Sequence, residues 1–164
     1  MVLPMLEPVA IDLPDAAATV RLAQRLAPAL AGGGVVYLEG DLGSGKTTFA
    51  RALLRALGAS ERVKSPTYSL VERYELPALT VWHLDLYRIA DPGELEWLGL
   101  DALDAPASLT LIEWPQRGAG RLPPPDLRIE LRHAGFGRMA RLSAAEAASS
   151  LRSFLTNILQ KSDS

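Results

Sequence analysis

Between residues 14 and 31 apolar positions recur at helical spacing, with Val20, Ala23, Ala27 and Leu30 on one face. Pro14 and Asp15 suit the first turn of this helix, because proline needs no N–H partner there and a carboxylate favours the positive helix end. Gly32 to Gly34 stop it. The run VVYLE from Val35 is short, apolar and β-branched, as in a buried strand. Helical spacing returns at Phe49, Leu53, Leu54 and Leu57, in a helix predicted from Thr47 to a stop at Gly58.

The second half reads differently. TYSLVERYE from Thr67 and LTVWHLDLYR from Leu79 are β-prone runs joined by a turn around Pro77, which predicts a hairpin and hence an antiparallel part of the sheet. DPGELEWLGLDAL from Asp91 opens with helix N-terminal chemistry and continues as a short helix. LTLIEW from Leu109 is another buried strand, and LRIEL and MARLS form a second hairpin. A last helix is expected from near Ala144 to Leu159. RLPPPD, Arg121 to Asp126, reads as a rigid connector rather than a linker, since the chain beyond it is too short to fold alone.

At 164 residues, the chain reads as one domain, 1–164, that buries roughly two-thirds of its unfolded surface. No apolar run approaches the roughly twenty residues of a bilayer span, which argues against membrane association. The N-terminus lacks the pattern of a secretory signal. With no cysteine there is no disulfide framework and no thiolate chemistry, so a cytoplasmic protein is expected. A net charge of −2 argues against a protein whose main task is gripping phosphate backbones.

GDLGSGKT, Gly40 to Thr47, fits GxxxxGK[ST] and falls between a predicted strand and a predicted helix, as a phosphate-binding loop requires. Its backbone N–H groups, from Asp41, Leu42, Gly43, Ser44, Gly45, Lys46, Thr47 and Thr48, would curl around nucleotide phosphates. The helix N-terminus adds unpaired donors and a favourable dipole. Lys46 would reach the β- and γ-phosphates, and the Thr47 hydroxyl would ligate Mg²⁺. Arginine, planar and larger, does not replace lysine in so narrow a loop. The fold class implied is α/β: a P-loop NTPase-like mixed β-sheet flanked by helices, with antiparallel hairpin strands.

Such a site also needs a carboxylate at the end of another strand to hold the metal and its water shell. Asp85 ends VWHLD and Glu113 ends LTLIE, so each apolar strand delivers one acid at the end where ligands collect in open α/β sheets. Lys46, Asp85 and Glu113 are the catalytic candidates, and Thr47, Glu113 and Asp85 the metal-ligand candidates.

GDLGSGKTT, VKSPTYSLVERYE, HLDLYRIADPGELEWLGL and LIEWPQRGAGRLP occur here in the order and spacing of the bacterial TsaE (YjeE) family, which the chain resembles from about Leu13 to about Arg141. The resemblance implies a P-loop ATPase that binds ATP and Mg²⁺ and works with TsaB and TsaD in making threonylcarbamoyladenosine (t6A) in tRNAs that read ANN codons. It meets tRNA indirectly, through that complex, which it is thought to reset between turnovers. By motif, Lys46 contacts phosphate, Thr47 and Glu113 hold Mg²⁺, and Asp85 is a second acid near the metal or the attacking water. SPTYSL, Ser65 to Leu70, corresponds to a switch-like segment, and Trp114 follows the acid as the family's tryptophan does. Ser44 replaces a common alanine where the motif leaves the side chain free.

Read from the residues, Pro66 stiffens SPTY, whose hydroxyls would face the γ-phosphate unless it is an ordinary turn into a strand. Trp114 is a partner or nucleotide contact, or a strand-end core residue. His83 is taken as a packed or exposed histidine rather than a base. Arg51, Arg55, Arg62 and Lys64 form either a solvated helix face or a docking surface for a partner or tRNA. No arginine finger or water-positioning glutamine stands out, so slow hydrolysis by the isolated protein is expected. The alternatives are a small-molecule or nucleoside kinase, which shares the loop, and a nucleotide-binding scaffold that never hydrolyses. A GTPase is disfavoured, because no NKxD-type segment is present.

Overall fold

A computed structural model describes residues 4–60, 70–99, 103 and 105–162. Its elements in chain order are β1 (Val9–Leu13), α1 (Ala16–Leu30), β2 (Gly34–Glu39), α2 (Lys46–Ala56), β3 (Val71–Glu75), β4 (Thr80–Asp85), β5 (Ser108–Glu113), β6 (Leu127–Ala134), β7 (Gly137–Ala144) and α3 (Ser149–Ser162). Short 3₁₀ helices at Pro92–Leu98 and Pro115–Gly118 lie on either side of β5.

The strands form one mixed seven-stranded sheet in the order β1-β7-β6-β2-β5-β4-β3. β2 is parallel to both its neighbours, β5 and β6, and β4 is parallel to β5. β3 joins β4 antiparallel at one edge, and β7 joins β6 and β1 antiparallel at the other. Both predicted hairpins are therefore present. The strand before the glycine-rich loop is central, and its β5 neighbour ends in Glu113.

Two apolar layers follow from side-chain alternation. Val36, Leu38, Val81, Leu109, Leu111 and Ile129 point to the face covered by α1, α2 and α3, where Phe49, Leu53, Leu26 and Leu155 are buried. Val35, Tyr37, Leu84 and Ile112 point to the opposite face, covered by Leu86, Ile89 and Leu95 from the chain after β4. β5 is buried along its whole length, as a central parallel strand should be.

Some boundaries differ from those read in the sequence. Asp15 is the N-cap of α1 rather than a first-turn residue: its Oδ1 accepts the Ala18 N–H at 2.8 Å. Val20 is only half-buried, and Leu22 and Leu26 share the core face with Ala23, Ala27 and Leu30. The Asp91 segment is a 3₁₀ helix, capped by Asp91 Oδ1 on the Gly93 N–H and ended by Gly99 in the left-handed region. The last helix begins at Ser149, not near Ala144, because Ala144 pairs with Leu127 at the end of β7. β1, alternating Val9, Ile11 and Leu13, was not anticipated. The proline-rich connector is tied down: Asp126 Oδ2 accepts the Val35 N–H at 2.8 Å, and the Tyr37 hydroxyl donates to the Pro123 carbonyl at 2.6 Å.

Candidate functional site

The loop from Gly40 to Gly45 joins the end of β2 to the start of α2. Gly45 is the N-cap in the left-handed region, φ 105°, so the chain turns into the helix without a side-chain cap and the first-turn N–H groups stay open to a ligand. Gly40 is required for space as well: a Cβ there would lie 2.4 Å from the Leu131 carbonyl oxygen and 2.6 Å from Ser44 Oγ. Ser44 stands at a position whose side chain the motif leaves unspecified. It is buried under Gly40, and its Oγ has no hydrogen-bond partner among the described residues. Leu42 is exposed, Thr47 is half-buried and Thr48 faces outward.

Lys46 is buried, and its ammonium curls back onto the loop, donating to the carbonyls of Gly40 at 2.6 Å and Asp41 at 2.9 Å. It also lies 4.7 Å from the centroid of the Trp114 ring, within cation–π range. Burial lowers the Lys46 pKa, and the charges of Glu113, Asp85 and Asp41 oppose that shift. The loop's cation thus lies within electrostatic reach of three carboxylates.

Asp85 and Glu113 are register partners at the ends of β4 and β5, on the sheet face that carries α2. Backbone bonds hold these strand ends together: the Leu86 N–H donates to the Glu113 carbonyl, and the Asp85 N–H to the Leu70 carbonyl, each at 3.0 Å. Leu70 is the last residue of the switch-like segment. Its other residues, Ser65 to Ser69, and Arg62 and Lys64 of the basic group lie outside the described residues. Arg51 and Arg55 are exposed on α2.

Burial raises the Asp85 pKa; the Tyr87 N–H bonded to it lowers it, Glu113 raises it further, and His83 and Lys46 lower it. A carboxyl raised on folding binds protons more readily in the folded chain than in the unfolded one. Its stability contribution is therefore most favourable below the unfolded value, ~3.9, and is lost as pH rises through the folded value. Asp85→Asn removes that loss while keeping an acceptor for Tyr87. The urea midpoint of the variant should exceed that of the wild type by more at pH 7 than at pH 4. A midpoint at pH 7 below the wild-type value would contradict this.

Several residues beside the loop were not legible as site residues. His83 is packed rather than exposed, and its Nε2 in addition lies 2.7 Å from Glu113 Oε2. Its position two residues before Asp85 put it on the same strand face, a signal that could have paired it with the acids. Trp114 is not the last residue of a strand but takes a left-handed conformation, φ 57°, rare for a bulky side chain. Its ring packs at a tilt of 49° against Tyr87, centroids 5.0 Å apart. Arg138 of β7 donates to the Gly43 carbonyl at 3.1 Å, a long-range contact with no local signal. A cleft of about 560 Å³, in the size range of small-ligand sites, opens beside the start of the loop and is lined by Gly40, Asp41, Trp114, Gln116, Glu130 and Arg132.

Open N–H donors, a buried cation, a hydroxyl and paired carboxylates make a site suited to an anion together with a hard, oxygen-seeking cation. Among the described residues no helix is long and apolar enough to cross a membrane.

Comparison with known proteins agrees with this architecture. Residues 13–141 match the family described as "Threonylcarbamoyl adenosine biosynthesis protein TsaE". The chain is 44% identical over 110 residues to the TsaE protein of Haemophilus influenzae, covering 67% of this chain and 70% of that protein. It is 39% identical over 109 residues to that of Synechocystis, covering 64% and 69%. The crystal structure of Bacillus subtilis YdiB superposes with a TM-score of 0.73 at 28% identity, covering 100% of this chain and 99% of that one. With a P-loop between the central strand and α2, and a matched span that includes the loop and both acids, this chain belongs to the TsaE family.

Proposed function

We propose that this protein is a Mg²⁺-dependent ATPase that serves t6A formation in tRNA together with TsaB and TsaD. The observation that carries the reading is the convergence of Lys46, Asp85 and Glu113 at the loop that follows the central parallel strand. Relatives named for tRNA threonylcarbamoyladenosine biosynthesis support the pathway assignment.

In this reading the loop N–H groups and the α2 N-terminus bind the phosphates, and Lys46 exchanges its bonds to the Gly40 and Asp41 carbonyls for phosphate oxygens. Mg²⁺ in ATPase sites takes only one or two carboxylates and completes its shell with phosphate and water, a demand that the strand-end pair Asp85 and Glu113 could meet. Thr47 and Glu113 would hold it, with Asp85 beside it, and the ion would supply charge neutralisation at the transferring phosphoryl group. Asp85 would orient the attacking water or the water shell of that ion. Because Asp85 N–H bonds the Leu70 carbonyl, the acid is coupled to the end of the switch-like segment, a route by which nucleotide state reaches a partner surface.

The kinase reading has less support. A kinase usually clamps phosphate with an arginine-bearing lid, and the candidates for it here, Arg117 and Arg121 at either end of RGAGR, are engaged elsewhere: Arg117 lies over the Tyr87 ring at 5.3 Å, and Arg121 is paired with Glu96. The test is the fate of the γ-phosphate. With γ-labelled ATP, Mg²⁺ and a panel of nucleosides, the label should appear as inorganic phosphate. Label in a nucleoside monophosphate would establish a kinase, and bound ATP with no turnover, alone or with TsaB and TsaD, a scaffold.

A further inference from the structure

His83 is 1% exposed, and its Nε2 lies 2.7 Å from Oε2 of Glu113, itself 3% exposed. The register pairs His83 with Leu111 and Asp85 with Glu113, so the imidazole reaches diagonally along the sheet to the carboxylate. The other ring nitrogen, Nδ1, is buried with no hydrogen-bond partner among the described residues. Hydrogen-bond accounting then assigns the ring proton. Against an ionised carboxylate, which only accepts, Nε2 is the donor and Nδ1 keeps its lone pair.

A histidine placed here for packing alone has no advantage. On this face Val81 and Leu111 are apolar neighbours and Glu72 is the register partner on β3; against the apolar ones a leucine would fill the space without burying a nitrogen that has no partner among the described residues. What the imidazole adds is one N–H aimed at the acid beside the loop. That bond fixes the plane of the carboxylate and engages one of its oxygens. Without it Glu113 would be free to turn toward the Lys46 ammonium, whose charge it already feels.

We propose that His83 is a positioning residue that locks Glu113 in the orientation needed to hold the metal of a bound metal–nucleotide complex. The inference deepens the nucleotide reading above and rests on it. Residues that hydrogen-bond a ligating carboxylate typically account for ~10- to 100-fold in metal affinity or activity.

The experiment compares His83→Gln, His83→Asn and His83→Leu with the wild type. Two quantities are read: the gain in affinity for a fluorescent ADP analogue on adding Mg²⁺, and kcat against KM for ATP. Gln extends an amide N–H to about the depth of Nε2, whereas Asn stops short. His83→Leu and His83→Asn should lose the Mg²⁺-dependent gain and kcat by ~10- to 100-fold, with the metal-free ADP affinity unchanged, and His83→Gln should recover most of both. Wild-type Mg²⁺ dependence and kcat in the Leu variant would overturn the proposal. Should that variant not fold, equal behaviour of Gln and Asn would overturn it instead. A wild type that binds no ADP would overturn the nucleotide reading itself, and this inference with it.

Discussion

Lys46→Ala should lower phosphate release from Mg-ATP by ~10²- to 10³-fold, the usual cost of removing one preorganised group that stabilises developing charge. The lysine is the loop's only ammonium and is already held at the loop by two carbonyls and the Trp114 ring, so it reaches a phosphate by exchanging those two bonds rather than by coming in from solvent. Lys46→Arg should not rescue, because a planar fork cannot occupy the space between Gly40, Asp41 and the indole. The carbonyls the lysine leaves, at half-buried Gly40 and exposed Asp41, can be hydrated, whereas buried Glu113 loses a nearby cation, so the melting temperature is read beside turnover to separate chemistry from folding. Residual activity within a few-fold of wild type would contradict this role.

The second large effect is at Glu113, where two substitutions separate chemistry from folding. Glu113→Gln keeps an oxygen that accepts the His83 N–H but removes the negative charge, and should lose ~10²-fold or more in turnover at nearly unchanged stability. Glu113→Ala should lose as much turnover and in addition leave the buried His83 N–H unpaired. That penalty is ~1–3 kcal/mol. In a chain of this size each kcal/mol moves the melting temperature by about 2–4 °C. Calorimetry and phosphate release on both variants check the pair. Equal stability of the two would mean that the His83 contact contributes nothing, and normal turnover in the Gln variant would remove Glu113 from the proposed metal site.

What the sequence made legible is what local pattern encodes. The run VVYLE, the glycine-rich loop and the Phe49–Leu57 spacing are contiguous, and the strand, loop and helix formed where the periodicity put them. Asp85 and Glu113 were readable as strand-end acids, because a short apolar run ending in a carboxylate has a recognisable shape. Their register pairing across β4 and β5 was not, since registry is set by tertiary contacts. The alanines at 144 and 145 suited a helix by propensity, yet pairing of Ala144 with Leu127 across the β6–β7 ladder overrode it. β1 was missed although its alternation is regular, because its ladder partner, β7, lies at the other end of the chain. The same distance hid Arg138 at the Gly43 carbonyl. Trp114 was read as continuing a strand; a bulky residue in the left-handed region has no composition signal, and here it turns the indole over Lys46.

The central claim is that hydrolysis at this site is slow in isolation and released by partners. Phosphate release from Mg-ATP, measured for the protein alone and with TsaB and TsaD from the same organism, tests it most directly, with Glu113→Ala as control. The account predicts strong stimulation by the two partners together, absent in the variant. Equal turnover with and without them, or stimulation that persists in the Glu113 variant, would contradict it.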